Sequence, residues 1–269
     1  MHIDQLFSQV QQQISSAQLH ASLSAPVNWA QGRTLYGGIS ASLVYCGMRQ
    51  LVAPEKVLRA LNTSFIGPIE PDVPFRIELT ILREGKNTSQ LEGKIIQHGQ
   101  VCLAALASFG LERKSAVKVA NSRQHNMPAP KKANFLPMIP KVTPKFMGHF
   151  ELAKEHGSFP FTGSKSSDLG GWMRFKQAPA VFTDAHLVAI IDMWPPTVLQ
   201  LLRWPAPAST MCWNLEFIHP HREFAADGWL AYHAHTLQAD SGYAHTEANI
   251  WDGQGALVAI SRQTVTVFD

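Results

Sequence analysis

Two regions of the chain consist of short runs in which apolar and polar residues alternate, and such runs predict β-strands. In the first region the predicted strands cover residues 57–65, 74–83, 89–97 and 100–111, and in the second they cover residues 211–218, 229–237, 242–251 and 256–268. Turns rich in Gly, Asn and Asp separate neighbouring runs, as at residues 84–87 and 252–255. Each region therefore predicts an antiparallel set of strands.

Helical segments are predicted ahead of these strands. Apolar residues recur at helical spacing over residues 5–19, which predicts a helix with one buried face. Residues 37–48 open with Gly37 and Gly38 and are small or apolar almost all round, which is typical of a helix buried on most faces. Residues 183–193 repeat this character until two prolines end the run. Each half is thus predicted to combine one buried helix with one set of strands.

The two regions also share a sequence pattern. Residues 99–109 and 253–263 carry the same Gly-Gln turn and apolar run at an offset of 154, and residues 61–66 match 213–218 at an offset of 152. Such a period of more than a hundred residues is too long for a solenoid repeat and indicates a duplicated unit. Because neither unit could cover both sides of its helix alone, the two are expected to pack together.

Between the two units the composition changes to Lys, Pro, Asn and Ser, which is typical of a partly extended linker. The predicted organisation is an N-terminal unit over residues 1–115, a linker over residues 116–144 and a C-terminal unit over residues 145–269. The charges of the linker are interpreted as solvated rather than as an anion-binding site.

Composition narrows the possible partners. With 269 residues and a formal net charge of +3, the chain lacks the basic excess expected of a nucleic-acid-binding protein. Cys46, Cys102 and Cys212 all lie in apolar segments and form no Cys-x-x-Cys pair, which indicates reduced core thiols. Neither a signal-peptide pattern nor a membrane-spanning run is evident. We therefore expect a cytoplasmic protein with no nucleic-acid or membrane partner.

Several short segments occur in an order and spacing that resemble one known family. They are Tyr36-Gly37-Gly38 and Ala107-Ser108-Phe109, together with residues 61–68, 83–86, 228–230 and 252–253. The chain resembles the double hot-dog acyl-CoA thioesterases of type II. This resemblance implies an α+β fold in which two antiparallel sheets are each wrapped around a long central helix. The two units would form a pseudo-dimer within one chain.

The resemblance also implies a site made of an Asp, a Thr and a Gln, which fall on Asp192, Thr210 and Gln263 in this sequence. Cys212 departs from the family pattern, which commonly has Asp two residues after the Thr, and this puts the local hydrogen bonding in question. The repeat mate of Gln263 is Phe109, and the first helix has no carboxylate. One catalytic site per chain is therefore expected, built mainly from the second unit.

Thioester hydrolysis requires a positioned water, a proton acceptor and hydrogen-bond donors for the developing oxyanion. A carboxylate in an apolar helix can accept the proton, because burial raises its pKa. Asp192 is accordingly predicted to be the base, with direct nucleophilic attack as the alternative, while Thr210 and Gln263 orient the water. Backbone N–H groups at the start of the first helix, on Gly37 and Gly38, are predicted to bind the oxyanion or the substrate.

Histidines form a second constellation. His219 and His221, and likewise His233 and His235 with His245 nearby, could present paired imidazoles to zinc. A proline interrupts the first pair and no Cys pair stands at finger-like spacing, so exposed histidines without metal are the preferred interpretation. No Gly-x-Ser-x-Gly elbow, dinucleotide loop or phosphate loop is present, and no cofactor is expected.

Three functions are weighed on these grounds. The first is hydrolysis of acyl-CoA to free acid and CoA, with acyl-CoA as the partner. The second is a non-catalytic hot-dog protein that binds acyl thioesters or lipids. A dehydratase-like activity ranks last, because the Asp and His residues that such hot-dog enzymes use are missing. A homo-oligomer, the acyl chain length and the physiological substrate are left open by the sequence.

Overall fold

The computed structural model describes residues 1–134 and 143–268, so residues 135–142 of the predicted linker lie outside the described residues. Three α-helices are present in the described part: α1 (Ile3–Gln11), α2 (Gly37–Arg49) and α3 (Asp184–Ile191). Among these residues, no helix has the length and apolar character needed to cross a membrane. Most of the remaining ordered structure is antiparallel sheet.

Eight of the thirteen strands in the described residues match the predicted strands to within three residues at either end. The thirteen strands are β1 (His20–Leu23), β2 (Ala30–Gln31), β3 (Thr34–Leu35), β4 (Val57–Phe65), β5 (Phe75–Glu84), β6 (Thr88–Gln97), β7 (Gln100–Gly110), β8 (Phe150–His156), β9 (Leu169–Phe175), β10 (Ala208–Phe217), β11 (Leu230–Asp240), β12 (Tyr243–Trp251) and β13 (Leu257–Val267). β2 and β3 pair separately, whereas the other eleven strands form one sheet in the order β1-β5-β6-β7-β4-β10-β13-β12-β11-β9-β8.

The single sheet corrects the prediction of two sheets. Counted outward from the centre, one side runs β4, β7, β6 and β5, and the other runs β10, β13, β12 and β11. Both sides therefore run outward in the same order, with the first, fourth, third and second strand of the set. The two sets join because β4 and β10, the first strand of each set, pair with each other and satisfy edge groups that would otherwise be exposed.

The register of that central pair agrees with the sequence offset. Asn62 lies opposite Asn214, and the two side chains are hydrogen-bonded. These residues are related by the offset of 152 found in the sequence. Leu61 lies opposite Leu215 and Thr63 opposite Trp213, so the pairing is symmetric about the asparagines.

The helices lie together on the apolar side of the sheet. Every residue of α2 from Gly38 to Met48 is buried, and α2 packs against both α3 and strands β5, β6 and β7. α3 has 8 residues and is shorter than the predicted 183–193. Its last turn is tightened, because the N–H of Met193 donates to Ile190 O at 3.0 Å, and Pro195 and Pro196 then prevent continuation.

The N-terminal segment and the linker contact different apolar clusters of the molecule. α1 ends at Gln11, well before the predicted residue 19, and the chain turns back to form β1 at one edge. In the linker, the described residues are largely exposed, but His125 stands edge-on to Trp172 and Trp251. These tryptophans belong to a small apolar cluster distinct from the main core. Trp172 is therefore not part of the main core around the helices.

Candidate active site

The start of α2 meets the end of α3 in the interior of the molecule. Tyr36, the residue before α2, donates its hydroxyl to Ala189 O at 2.7 Å, and both groups are buried. Glycines make this approach possible, because a Cβ on Gly38 would lie 2.5 Å from Ala189 O, which is closer than Cβ contacts normally come. A Cβ on Gly37 would lie 2.8 Å from Oδ2 of Asp192. The two helix ends are thus in direct contact.

Asp192 lies at the end of α3, facing this junction. Its Oδ1 accepts a hydrogen bond from Nε2 of Gln263 at 2.8 Å, and the backbone N–H of Gly38 acts on the same carboxylate. Burial raises the pKa of Asp192 from its ordinary value of 3.8 to about 7, although the two hydrogen bonds lower it. A small part of the residue stays accessible to solvent. The carboxylate is therefore poised between its charged and neutral forms near neutral pH.

Thr210 and Gln263 reach this carboxylate from adjacent strands. β10 pairs with β13, but the register shifts between Thr210 and Cys212, so Met211 is an extra residue in β10. Oγ1 of Thr210 donates to Oε1 of Gln263 at 3.4 Å, which continues the chain of hydrogen bonds to Asp192. Cys212 is exposed and lies opposite Thr264, outside this chain. The sequence departure at Cys212 therefore leaves the hydrogen bonds among the three residues in place.

Gly37 and Gly38, which are predicted to bind the oxyanion, lie against the carboxylate of Asp192. The N–H of Gly38 is directed at the Asp192 carboxylate, and Gly37 packs beside the same oxygen atoms and the ring of Phe65. The positive end of α2 therefore faces Asp192. Binding of an oxyanion or substrate by Gly37 and Gly38 stays a prediction.

The residues of the first unit that match the catalytic candidates do not form a hydrogen-bonded group of Asp, Thr and Gln. Phe109, the repeat mate of Gln263, is buried and stacks on Tyr45 of α2 with ring centroids 6.1 Å apart. The Tyr45 hydroxyl lies beside Asp184 at the start of α3. Two stacked aromatic rings thus lie where the second unit has an amide beside a carboxylate.

Three aromatic residues contribute to the site and were not identified from the sequence as parts of it. Tyr36 bonds to the last turn of α3, as described above. Tyr232 is buried, and burial together with the nearby charge of Asp192 raises its pKa. Trp194 stacks on Tyr232 with ring centroids 5.7 Å apart. Tyr36 stands in the Tyr-Gly-Gly segment that the sequence does offer as a signal, whereas no local pattern links Tyr232 to Asp192.

The histidines do not fit one description. His233 and His235 lie on β11 with their rings 6.3 Å apart, and His245 is exposed on β12. His219 and His221 instead lie in the loop after β10. All four histidines of the two pairs are partly buried, so the interpretation of exposed histidines is wrong for both pairs. None of these five histidines is hydrogen-bonded to Asp192, Thr210 or Gln263 in the described structure.

Comparison with known proteins gives the family context of this geometry. The model of the acyl-CoA thioesterase N-terminal domain matches residues 25–110, and the model of the C-terminal domain matches residues 122–267. Acyl-CoA thioesterase 2 of Haemophilus influenzae is 23% identical over 257 residues, which cover 86% of this chain and 86% of that protein.

Solved structures give the same fold. A protein with a hot dog fold from Alicyclobacillus acidocaldarius aligns with a TM-score of 0.81 and 22% identity, covering 98% of each chain. The acyl-CoA thioesterase II TesB2 of Mycobacterium marinum aligns with a TM-score of 0.71 and 18% identity, covering 99% of this chain and 98% of that one. At these identities the two structures establish a shared hot-dog fold.

Proposed function

The chain belongs to the acyl-CoA thioesterase family, and we propose that it hydrolyses acyl-CoA with one water held by Asp192, Thr210 and Gln263. The observation that carries this proposal is the hydrogen-bonded chain from Thr210 through Gln263 to a carboxylate whose pKa is about 7. These groups combine a proton acceptor with two polar side chains that can direct a water molecule. One site per chain follows, because the mate of Gln263 is Phe109.

In the proposed reaction, Asp192 accepts a proton from water as the water oxygen bonds to the thioester carbonyl carbon. The carbonyl oxygen becomes an oxyanion in the tetrahedral intermediate. The intermediate then collapses, the carbon–sulfur bond breaks, and CoA leaves as a thiolate that receives the proton from Asp192. The products are the free acid and CoA. Thr210 and Gln263 fix the direction of attack by holding the water against the base.

The start of α2 supplies the positive potential that such an oxyanion needs. Backbone N–H groups in the first turn of a helix lack intrahelical partners and carry a partial positive charge. The N–H of Gly38 donates a hydrogen bond to the Asp192 carboxylate while the base is charged. When Asp192 takes up the proton, it becomes neutral and accepts a weaker hydrogen bond from that N–H. We propose that Gly37 and Gly38 can then stabilise the negative charge that develops on the substrate.

We further propose that the chain is a double hot-dog pseudo-dimer, with units over residues 1–115 and 145–269 joined by a linker over residues 116–144. The matching strand order and the Asn62–Asn214 pairing at the sequence offset support this proposal. A cytoplasmic location and a homo-oligomer without nucleic-acid or membrane partners are part of the same proposal. The unpaired cysteines are consistent with a reducing compartment.

The test is release of free thiol from a panel of acyl-CoA substrates. We expect Asp192→Asn to reduce kcat by about 10²–10⁴-fold, which is the usual contribution of a general base. The substitution is isosteric, and a flip of the Gln263 amide would let both side chains and Thr210 keep their hydrogen bonds. Gln263→Leu and Thr210→Val should cause smaller losses, because they orient the water and do not accept its proton.

Cys212→Ser is the matched control, because this side chain is exposed and outside the hydrogen-bonded chain. The hydrolysis rate of this variant should therefore equal that of the parent. The substitution also removes an accessible protein thiol that would otherwise react with the detection reagent. Parent-like hydrolysis by Asp192→Asn would overturn the assignment. Tight acyl-CoA binding without turnover by the parent chain would favour the non-catalytic alternative.

A further inference from the structure

A second cluster of polar side chains lies at the start of α3, the end opposite Asp192. Asp184 from α3 and His219 and His221 from the loop after β10 each direct one ligand atom to a common point, and these atoms lie within 4.8 Å of one another. Within residues 1–134 and 143–268 no other three His, Cys, Asp or Glu side chains meet in this way. All three residues are partly buried.

One nitrogen of each imidazole in this cluster, Nε2, is buried and makes no hydrogen bond. Nε2 of His219 and Nε2 of His221 are both inaccessible to solvent, and neither has a partner within hydrogen-bond distance. The His221 Nδ1 lies 3.0 Å from Arg222 O, a contact that fixes the ring with its proton on Nδ1. In the neutral ring Nε2 then carries the lone pair, and this atom lies 3.6 Å from Oδ1 of Asp184. Buried polar atoms of this kind are rare in folded proteins, because each unmet hydrogen bond costs free energy.

The arrangement has the features of a histidine-rich metal site. Metal-bound imidazoles commonly donate their other N–H to a backbone carbonyl, as the ring of His221 is placed to do. The two imidazole rings lie 4.4 Å apart and are inclined at 34°, so both can face the same point. A tetrahedral zinc ion with bonds of about 2.0–2.2 Å keeps its ligand atoms about 3.4 Å apart, close to the separation of Asp184 and His221.

The surrounding charge is compatible with a cation. Arg59 is the positively charged group acting on His219, whereas Asp184 and Asp252 both act on His221 with negative charge. Two carboxylates therefore outweigh one guanidinium. Asp252 also accepts hydrogen bonds from two backbone N–H groups of its turn and is thus fixed in place.

The cluster occupies the position that mirrors the proposed catalytic site. The Leu58 carbonyl lies beside His219, and Leu58 is related to Thr210 by the offset of 152. The Tyr45 hydroxyl lies beside Asp184. The first unit has apolar residues where the second has its catalytic candidates, and the polar groups here come from the loop after β10. The cluster is therefore separate from the hydrolytic residues.

We propose that Asp184, His219 and His221 bind one divalent transition-metal ion, for which zinc has the best-matched chemistry. Two imidazole nitrogens and one carboxylate oxygen supply three ligands, and water completes the tetrahedron. The ion would tie the loop after β10 to the first turn of α3. It would act as a structural brace, since the cluster holds none of the residues assigned to hydrolysis.

The test uses the full-length protein without a histidine tag, dialysed first against EDTA and then against metal-free buffer. Titration with zinc chloride, followed by calorimetry and by metal analysis of the dialysed complex, should give one zinc per chain. Zinc should also raise Tm, because a ligand that binds only the folded state stabilises it. Magnesium should do neither, since it favours oxygen ligands.

Removal of a ligand should weaken zinc binding by at least about tenfold. Asp184→Asn is the most conservative change and His221→Ala the most direct, and the Tm of each metal-free variant checks that it folds. His235→Ala is the matched control, because it removes one histidine of the other His-x-His pair, on β11. Equal zinc affinity in Asp184→Asn, His221→Ala and the parent would overturn the proposal, as would a parent that binds no zinc.

The same preparations separate this proposal from the hydrolytic one. Asp192→Asn should retain zinc binding while losing thiol release. An inactive parent that binds zinc would contradict only the proposed hydrolysis, and an active parent that binds no zinc would contradict only the metal site. In that second outcome Asp184 and His221 form an ordinary ion pair, consistent with the raised pKa of His221 that Asp184 causes.

Discussion

The protonation state of Asp192 is set by two opposing influences. Burial favours the neutral acid, whereas hydrogen bonds from Gln263 and Gly38 favour the carboxylate. The balance raises the pKa to about 7, compared with an ordinary value of 3.8. A base with a pKa close to the working pH is ionised in a large fraction of molecules and still has appreciable affinity for a proton. An exposed Asp would be ionised more fully but would accept a proton less readily.

This balance predicts the pH dependence of hydrolysis. Since only the ionised carboxylate can act as the base, kcat/KM should fall about tenfold per pH unit below pH 7 and level off above it. Gln263→Leu removes a hydrogen bond that lowers the pKa, so the profile of the residual activity should move to higher pH. The measurement is a pH–rate profile from pH 5 to pH 9 for both proteins, with Cys212→Ser as control.

Two results would contradict the prediction. A profile that is flat between pH 5 and pH 8 would mean that no group with a pKa near 7 controls the chemistry. A profile of Gln263→Leu that moves to lower pH would mean that the amide does not stabilise the charged form of Asp192.

At the scale of elements, the site depends on how closely the start of α2 approaches the end of α3. Glycine is required there for space, because a Cβ at Gly38 would press on the backbone of Ala189. At Gly37 the added Cβ would instead press on the Asp192 carboxylate, 2.8 Å from Oδ2. A side-chain carboxylate can rotate away, whereas a helix carbonyl cannot. Gly37 is therefore a place where the base can be displaced with little disturbance of the fold.

Gly37→Ala should accordingly lower kcat by about 10²-fold, which is the cost of misplacing a reacting group by about 1 Å. The free energy of unfolding should change little, because Ala is a better helix former than Gly by about 1 kcal/mol and offsets the local crowding. Steady-state kinetics and urea unfolding measure the two effects separately.

Gly67→Ala is the matched control, since the nearest atom to its added Cβ is 3.9 Å away. Its kcat and stability should both remain near those of the parent. An unchanged kcat in Gly37→Ala would show that Asp192 does not need its present position. A large loss of stability instead would show that the carboxylate cannot move.

The sequence predicts individual elements well where burial alternates strictly. The run predicted over residues 89–97 lies within β6, Thr88–Gln97, in which every second residue from Ser89 to Gln97 is buried. The predicted first helix, residues 5–19, is too long because Ile14, which continues the helical spacing, is buried after the chain has already left α1. A buried residue in a turn has the same local pattern as one in a helix.

Strand partners and side-chain junctions could not be predicted in this way. Period-two alternation tells which face of a strand is buried but not which strand lies beside it, so it does not predict the β4–β10 pairing or the single sheet. The family resemblance nominated Asp192, Thr210 and Gln263. The bulge at Met211 that admits Thr210, and the bond from Tyr36 to α3, are tertiary features without a local sequence pattern.

At the scale of the whole molecule, the site is shared between the two halves of the chain. Asp192, Thr210 and Gln263 come from the second half, whereas Tyr36 and Gly38 come from the first. The halves meet at the helix junction and along the β4–β10 pair. Separation would expose buried apolar faces of α2 and α3 and would leave two unpaired strand edges. Neither half is therefore expected to be a stable, active enzyme.

A split chain tests this dependence directly. The cut belongs between residues 115 and 116, because Arg123 and His125 contact the second half and should stay with it. Residues 1–115 and 116–269 expressed separately should aggregate and should show no thiol release, since each lacks part of the site. Co-expressed, they should copurify as a one-to-one complex and recover hydrolysis, and the complex carrying Asp192→Asn is the inactive control. If residues 116–269 alone were monomeric and hydrolysed acyl-CoA at the parent rate, the first half would be dispensable. The contacts of Tyr36 and Gly38 with α3 would then have no part in catalysis.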